Sequence, residues 1–333
     1  MVSAPGPSLS VVVPTLGSYD VLRRVLDGYS RQDARDGSFE VIVVADQGDP
    51  DLGAVDNAIG DRSYPVRRLV GSRPGASANR NTGWEAASAP RVLFTDNDTI
   101  PTPRVVSEHL LWHSRHPEES VGILGHVRWA PELKVTPFML WLDRGIQFDY
   151  HTIVGEDAGP GRFYTANASL KKAFLARVGG FEEEKLPYGF EDVEWAFRAS
   201  KHGFRLLYAR DAVVDHLSTM TLEFWKKRVH RLAGSERRMV KMQPEMEPKL
   251  LWMFEKAAAR PRVRGRAVRL YPYVPRWVPW LGRQVHVNTD RFFKQELASH
   301  FLEGWEAAGD DPGVVAPDVA EFEIARRTAG QAR

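Results

Sequence analysis

The sequence predicts an α/β protein: a mostly parallel sheet flanked by helices, followed by a helical and irregular C-terminal extension. Three observations predict it. Apolar runs at residues 9–13, 39–44 and 91–95 are strand-sized and end at Pro14, at the 46–50 turn and at Asp96. Between the first two, Val21, Leu22, Val25, Leu26 and Tyr29 recur at helical spacing. Strands alternating with helices in this way pair in parallel, with helices on both faces. Finally, residues 256–289 break the pattern with Pro261, Pro272, Pro275 and Pro279, which forbid a continuous helix there.

Taken in order, residues 9–13 form a buried strand, 19–29 a helix, 39–44 a second strand and 66–70 a third. A helix is expected over 79–87 and a strand over 91–95, running straight into Asp96-Asn97-Asp98. Residues 104–116 read as a helix, while 101–161 is otherwise irregular, with 129–150 a Trp-, Phe- and Pro-bearing excursion. Regular patterns return at 163–178 and 191–202. Residues 205–208 with 212–214 close the sheet, and 222–242 form a helix that breaks near Pro244. Residues 291–307 are helical again. The expected organisation is one domain over 1–243, with halves of about 9–100 and 101–243, and an extension over 244–333.

Composition narrows the function. The 333 residues are 43% hydrophobic and 26% charged, which excludes a disordered or collagen-like chain. The net charge of +2 gives no reason to expect a nucleic-acid partner. Cysteine is absent, which excludes disulfides, zinc ribbons, iron–sulfur clusters and a thiol nucleophile. The apolar runs fall far short of the roughly 20 residues that cross a bilayer, so the expected location is cytoplasmic.

In a parallel sheet, ligands bind outside the carboxyl ends of the strands. Two strands here end in acid-bearing loops, at Asp46 and Asp96, which should open on one edge. Two carboxylates in a tight loop such as Asp96-Asn97-Asp98 suit a hard divalent cation, although Asp and Asn are also ordinary turn residues. Glu191-Asp192, after Tyr188-Gly189-Phe190, either opens a helix or holds a general base. His216 follows a strand as a candidate ligand. His109, His113 and His116 share a helical spacing and read as a solvated face.

Several motifs occur in a fixed order: Val11-Val12-Val13-Pro14-Thr15, Val43-Val44-Ala45-Asp46-Gln47, Gly75 followed by Asn79-Arg80-Asn81-Thr82-Gly83, Asp96-Asn97-Asp98, Asn167, Gly179-Gly180-Phe181-Glu182 and Gly189-Phe190-Glu191-Asp192. Each is weak alone. As an ordered set over residues 9–219 they resemble a family 2 glycosyltransferase of the Rossmann-like GT-A fold. The resemblance implies that Pro14 and Thr15 line a nucleotide pocket, with Asp46 beside the base or ribose. It implies that Arg80, Asn81, Asp96 and Asn97 lie near the donor, and that Asp98 and His216 hold Mn2+ or Mg2+. Asp192 would be the catalytic base, with Glu191 beside it, and Asn167 and the Gly180 turn would frame the sugar and acceptor. Trp129 and Tyr150 are candidate acceptor contacts.

The implied reaction is inverting, metal-dependent transfer from a nucleotide-sugar of UDP, dTDP or GDP type. The acceptor would be a glycan, a lipid-linked molecule or a small molecule. Gln47 stands where many members carry a second acid, so the base preference stays open. A sugar nucleotidyltransferase would need a Gly-rich loop after the first strand, whereas 14–18 holds a single glycine. A non-catalytic carbohydrate-binding or scaffold protein would have no need of Asp46, Asp98, Asp192 and His216 together. Residues 256–289 contain no acid and carry Arg, Trp and Tyr. They suit an arm packed on the domain or on a second subunit of a homodimer, or a peripheral contact with the inner face of a membrane.

Overall fold

The computed structural model describes residues 6–35 and 37–309. Among these, one compact unit holds 6–133 and 153–218, and a second holds 134–152 and 219–309. The strands are β1 (Leu9–Thr15), β2 (Phe39–Ala45), β3 (Val66–Val70), β4 (Arg91–Thr95), β5 (Thr99–Pro101), β6 (Val121–Trp129), β7 (Asn167–Lys171) and β8 (Arg205–His216). The α-helices are α1 (Tyr19–Tyr29), α2 (Leu52–Ile59), α3 (Ala76–Ala86), α4 (Val105–Arg115), α5 (Pro137–Leu142), α6 (Lys172–Val178), α7 (Glu191–Ser200), α8 (Leu222–Met242), α9 (Lys249–Ala258) and α10 (Leu281–Ala307).

All eight strands form one sheet of the first unit, in the order β3-β2-β1-β4-β7-β6-β8-β5. The β3-β2-β1-β4 half is parallel throughout. β7 then inserts antiparallel to both β4 and β6, β6 and β8 run parallel, and β5 closes antiparallel on β8. Every residue of β1 and β2 is buried, as expected of strands covered on both faces. Helix α3 lies directly on β1: a Cβ on Gly83 would come within 2.3 Å of Val12. Only glycine allows that approach. Around α7, the fully buried Trp195 packs against Phe163, Phe174, Phe181 and Phe204. This cluster fixes the helix that begins with Glu191-Asp192.

The sequence reading does not foresee α2, β5, α5 or α9, and three further elements depart from it. The stretch read as irregular contains β6, a nine-residue strand in the middle of the second half of the sheet. Its glycines dilute the apolar pattern, yet a Cβ on Gly122 would meet Leu170 and Phe204 below 3 Å, so glycine is what lets the strand pack. His109 and His113 are not on a solvated face. Both are fully buried and bond the Ser169 hydroxyl at 2.8 Å, and His109 also bonds Asn167 at 2.9 Å. Those partners lie on β7, far along the chain, and no local spacing shows them. The last helix starts at Leu281, just past Pro279, ten residues before the expected 291.

The second unit is helical. α10 packs along α8, where a Cβ on Gly304 would meet the His230 carbonyl at 2.1 Å. Phe138 of α5 packs on Trp225 and Phe293. Across the Pro244 break, the buried Glu236 of α8 caps α9 by accepting the N–H groups of Leu250 and Leu251 at 2.8 and 2.9 Å. Burial raises its carboxyl to about 7, although those two bonds pull the other way. Among the described residues no helix is long and apolar enough to cross a membrane.

Candidate active site

Because β1, β2 and β4 are parallel neighbours, Thr15, Asp46 and Asp96 emerge on one edge of the sheet. Asp46 is buried and thoroughly bonded there. One oxygen accepts the Gly48 N–H at 2.8 Å, and the other accepts the Gly75 N–H at 2.7 Å and the Asn79 amide at 2.9 Å. It thereby ties the end of β2 to the start of α3. Gly75 takes φ +118°, a backbone that favours glycine, and its amide faces Asp46 as a result.

The 96–98 loop is a tight turn held by Thr99, whose hydroxyl donates to the Asp96 carbonyl at 2.8 Å. Asn97 is buried and donates to the Thr15 hydroxyl at 2.7 Å, which locks the turn to the end of β1 beside the buried Pro14. The two acids then part. Asp96 bonds Arg80 at 3.0 Å. Asp98 turns to the closing strand, because Thr99 pairs with His216 and the Asp98 carbonyl accepts the Leu217 N–H at 2.8 Å. The Asp98 carboxylate lies 3.8 Å from His216 Nε2, with both side chains buried, and accepts the Ser218 hydroxyl at 2.6 Å.

Arg80 connects the two sides of the site. Its guanidinium is buried and bonds Glu191 at 2.8 Å as well as Asp96. Burial works against its charge, but Asp96, Glu191 and Asp192 outweigh it and raise its pKa. Glu191 and Asp192 open α7 after Gly189 and Phe190, both at positive φ. A phenylalanine in that region is strained, which marks the bend as enforced by its surroundings. Among the described residues, Asp192 accepts the N–H of its neighbour Val193 at 2.8 Å. Desolvation, reinforced by the adjacent Glu191 charge, pushes its carboxyl up to about 7, against the opposing pull of Arg80. A carboxyl in that range both accepts and returns a proton at neutral pH.

Asp98 and His216 offer a divalent cation one carboxylate and one imidazole. Among the described residues no cluster of three or more such ligands gathers. That donor set fits Mg2+ or Mn2+, which take few protein ligands when a substrate supplies phosphate oxygens. Trp129 pairs in register with His216, and its ring meets the imidazole edge-on at 5.4 Å. The Trp129 indole N–H is buried without a hydrogen-bond partner among the described residues.

Other predicted residues have structural engagements. Asn81 accepts the Phe181 N–H and donates to the Phe181 carbonyl and to Glu183. Gly180 is needed beside it, since a Cβ there would come within 2.4 Å of the Asn81 amide. Asn167 is fully buried and donates to the His126 and Ala212 carbonyls, holding the irregularity where β6 and β8 change register. Tyr150 belongs to the second unit, stacked on Phe148 at 5.6 Å. Sequence reasoning missed Ser218 and Glu183. The only signal for Ser218 is its position two residues past His216, and Glu183 shows none.

A sheet of this topology, with its acidic loops on one edge, is the frame of GT-A-type transferases, and solved structures agree. A mannosyltransferase from Pyrobaculum calidifontis, in complex with GDP-Man and Mn2+, superposes with a TM-score of 0.52 at 18% identity, covering 98% of this chain and 81% of its own. TarS 1–349 of S. aureus gives 0.50 at 16% identity, covering 90% and 92%. In sequence, the family described as "Glycosyltransferase like family 2" matches residues 5–235, so the chain belongs to that family. Two validoxylamine A glucosyltransferases of Streptomyces hygroscopicus, from subsp. limoneus and subsp. jinggangensis (strain 5008), are each 26% identical over 284 residues. The matches cover 74% of this chain and 59% and 63% of those proteins, so the chain spans about three-fifths of their length.

Proposed function

We propose that this chain transfers a hexosyl group from a nucleoside-diphosphate sugar to an acceptor hydroxyl, with inversion at the anomeric carbon and Asp192 as general base. The observation that carries the reading is the Asp192 carboxyl, raised to about 7 beside the Arg80 bridge that joins Asp96 to Glu191. In the step itself the acceptor O–H gives its proton to Asp192 as its oxygen bonds the anomeric carbon. The bond from that carbon to the diphosphate oxygen breaks, and the diphosphate leaves with the electron pair. A single displacement inverts the centre and needs no second nucleophile.

Pro14, Thr15, Asp46 and Asn97 frame the nucleotide end, and Arg80 and Asp96 lie toward the sugar. Asp98 and His216 would hold Mn2+ or Mg2+, which when bound neutralises charge on the departing diphosphate. Trp129 offers its ring and its N–H to the acceptor side. The glucosyltransferase relatives and the mannosyltransferase bound to GDP-Man and Mn2+ support a hexose donor and a divalent cation. UDP, dTDP and GDP remain the candidate carriers.

Calorimetric titration of UDP, GDP, dTDP and CDP, each with and without Mn2+, tests the reading. One nucleotide should bind, and only with the metal. Binding of none, or equal binding without metal, overturns the assignment of this edge as a metal-assisted donor site.

A further inference from the structure

The second unit carries a surface that the proposed chemistry does not use. Between a short 3-10 helix at Gly265–Arg269 and the start of α10, the chain makes an arm whose aromatic residues face two ways. Tyr271 is buried against His286 at 4.7 Å, and the His286 ring also bonds the Val274 carbonyl. Gly282 brings the arm back onto itself, since a Cβ there would meet the Pro275 carbonyl at 2.4 Å. The arm is therefore anchored. Its outward residues are not covered: Tyr273, Trp277 and Trp280 are 79%, 80% and 77% exposed, flanked by Leu270 and Leu281.

Large aromatic side chains this exposed are uncommon, and contiguous ones mark an interaction surface. Trp280, the residue just before α10, also has φ +55°, a conformation bulky residues rarely adopt. Arg264, Arg266, Arg269, Arg276 and Arg283 flank these aromatics along the chain, all exposed. None has a carboxylate within ion-pair distance among the described residues. The sequence explains this, as no Asp or Glu occurs between Lys256 and Thr289. Unpaired arginines around outward indoles need a partner that is anionic and has an apolar boundary just beneath its charge. An anionic bilayer surface has both: indoles settle at the headgroup boundary, and arginines meet lipid phosphates.

We propose that the 264–283 arm is a peripheral docking surface for anionic lipid membranes, seated by Trp277, Trp280 and Tyr273 and attracted by the surrounding arginines. Nothing in this depends on the sugar-transfer chemistry, and it stands or falls separately.

The test is co-sedimentation of the full chain with phosphatidylcholine vesicles, with and without phosphatidylglycerol, at low and high salt. The protein should pellet with the anionic vesicles only, and tryptophan emission should shift to the blue. Trp277→Ser/Trp280→Ser should lower the bound fraction at least tenfold, with unchanged thermal unfolding because both rings are exposed. Trp277→Phe should retain most binding. Arg269→Gln/Arg276→Gln should weaken binding and flatten its salt dependence. Absence of binding to anionic vesicles at low salt overturns the proposal. So does binding that the tryptophan variant retains in full, since that is charge attraction without seating. A concentration-dependent dimer that the same variant dissolves, with no vesicle binding, would assign the surface to a second copy of the chain instead.

Discussion

Asp46 and Asp192 are both acids at the rim of the same sheet, and their surroundings are opposite. Asp46 receives three donors, from Gly48, Gly75 and Asn79, that stitch the end of β2 to α3. Asp192 receives one short bond from its own neighbour and sits beside a like charge, so its proton affinity rises to about 7. The difference separates two settings a carboxylate can have at such a rim. A fully bonded one builds the frame, and an under-bonded one has proton affinity available for chemistry.

Removing each acid sharpens that contrast. Asp192→Asn should lower sugar transfer by about 10²–10⁴-fold, the contribution of a positioned general base, while calorimetric nucleotide binding stays within error. Asp46→Ala should act first on stability. It strands buried donors that each cost roughly 1–3 kcal/mol unpaired, so the melting temperature should fall while the pH midpoint of any remaining activity stays put. If Asp46→Ala left thermal stability unchanged, the framing role assigned to it would fail. A smaller effect is expected at Asp98. Asp98→Ala should weaken Mn2+-dependent nucleotide binding by at least about tenfold, the weight of one charged contact. Metal dependence identical to the parent protein would remove Asp98 from the ion.

Glu236 supplies the mildest case and lies between the two acids. It has two backbone donors, yet burial still lifts it to about 7 from an ordinary 4.5. A raised carboxyl pKa stabilises the fold fully below the unfolded value and loses that contribution as pH rises toward 7. Glu236's own contribution to thermal stability should therefore decline from pH 5 toward pH 7, by no more than one proton's worth, about 1.4 kcal/mol per pH unit, read as the difference between the parent protein and Glu236→Gln. Glu236→Gln should flatten the decline. An unchanged slope would show that Glu236 titrates normally.

Much of this was legible in sequence where the physics is local. Helices α1 and α8 and strands β3 and β4 fall where spacing and breakers put them. Of the residues the motifs and His216 single out, Asp46, Asp98, Asp192 and His216 lie at or just beyond the ends of strands and helices, whereas Arg80 lies inside α3. What stayed hidden depends on distant partners. β6 reads as irregular because its two glycines answer to Leu170 and Asn167 on β7 and to Phe204 just before β8. His109 and His113 look solvated until Ser169 is seen beneath them. The resemblance puts Asn81 near the donor, and the structure adds that Phe181 and Glu183, a hundred residues on, hold its amide. That Arg80 links Asp96 to Glu191 is a tertiary fact with no trace in spacing.

The most direct test of the central claim needs no acceptor. Release of nucleoside diphosphate from the donor that binds best, with water as acceptor, would be followed from pH 5 to pH 9 for the parent protein and for Asp192→Asn. The parent rate should rise with pH through a midpoint of about 7, as Asp192 loses its proton. The variant should be at least about 100-fold slower, without that limb. Superimposable profiles for the two proteins would contradict the assignment of Asp192 as the base.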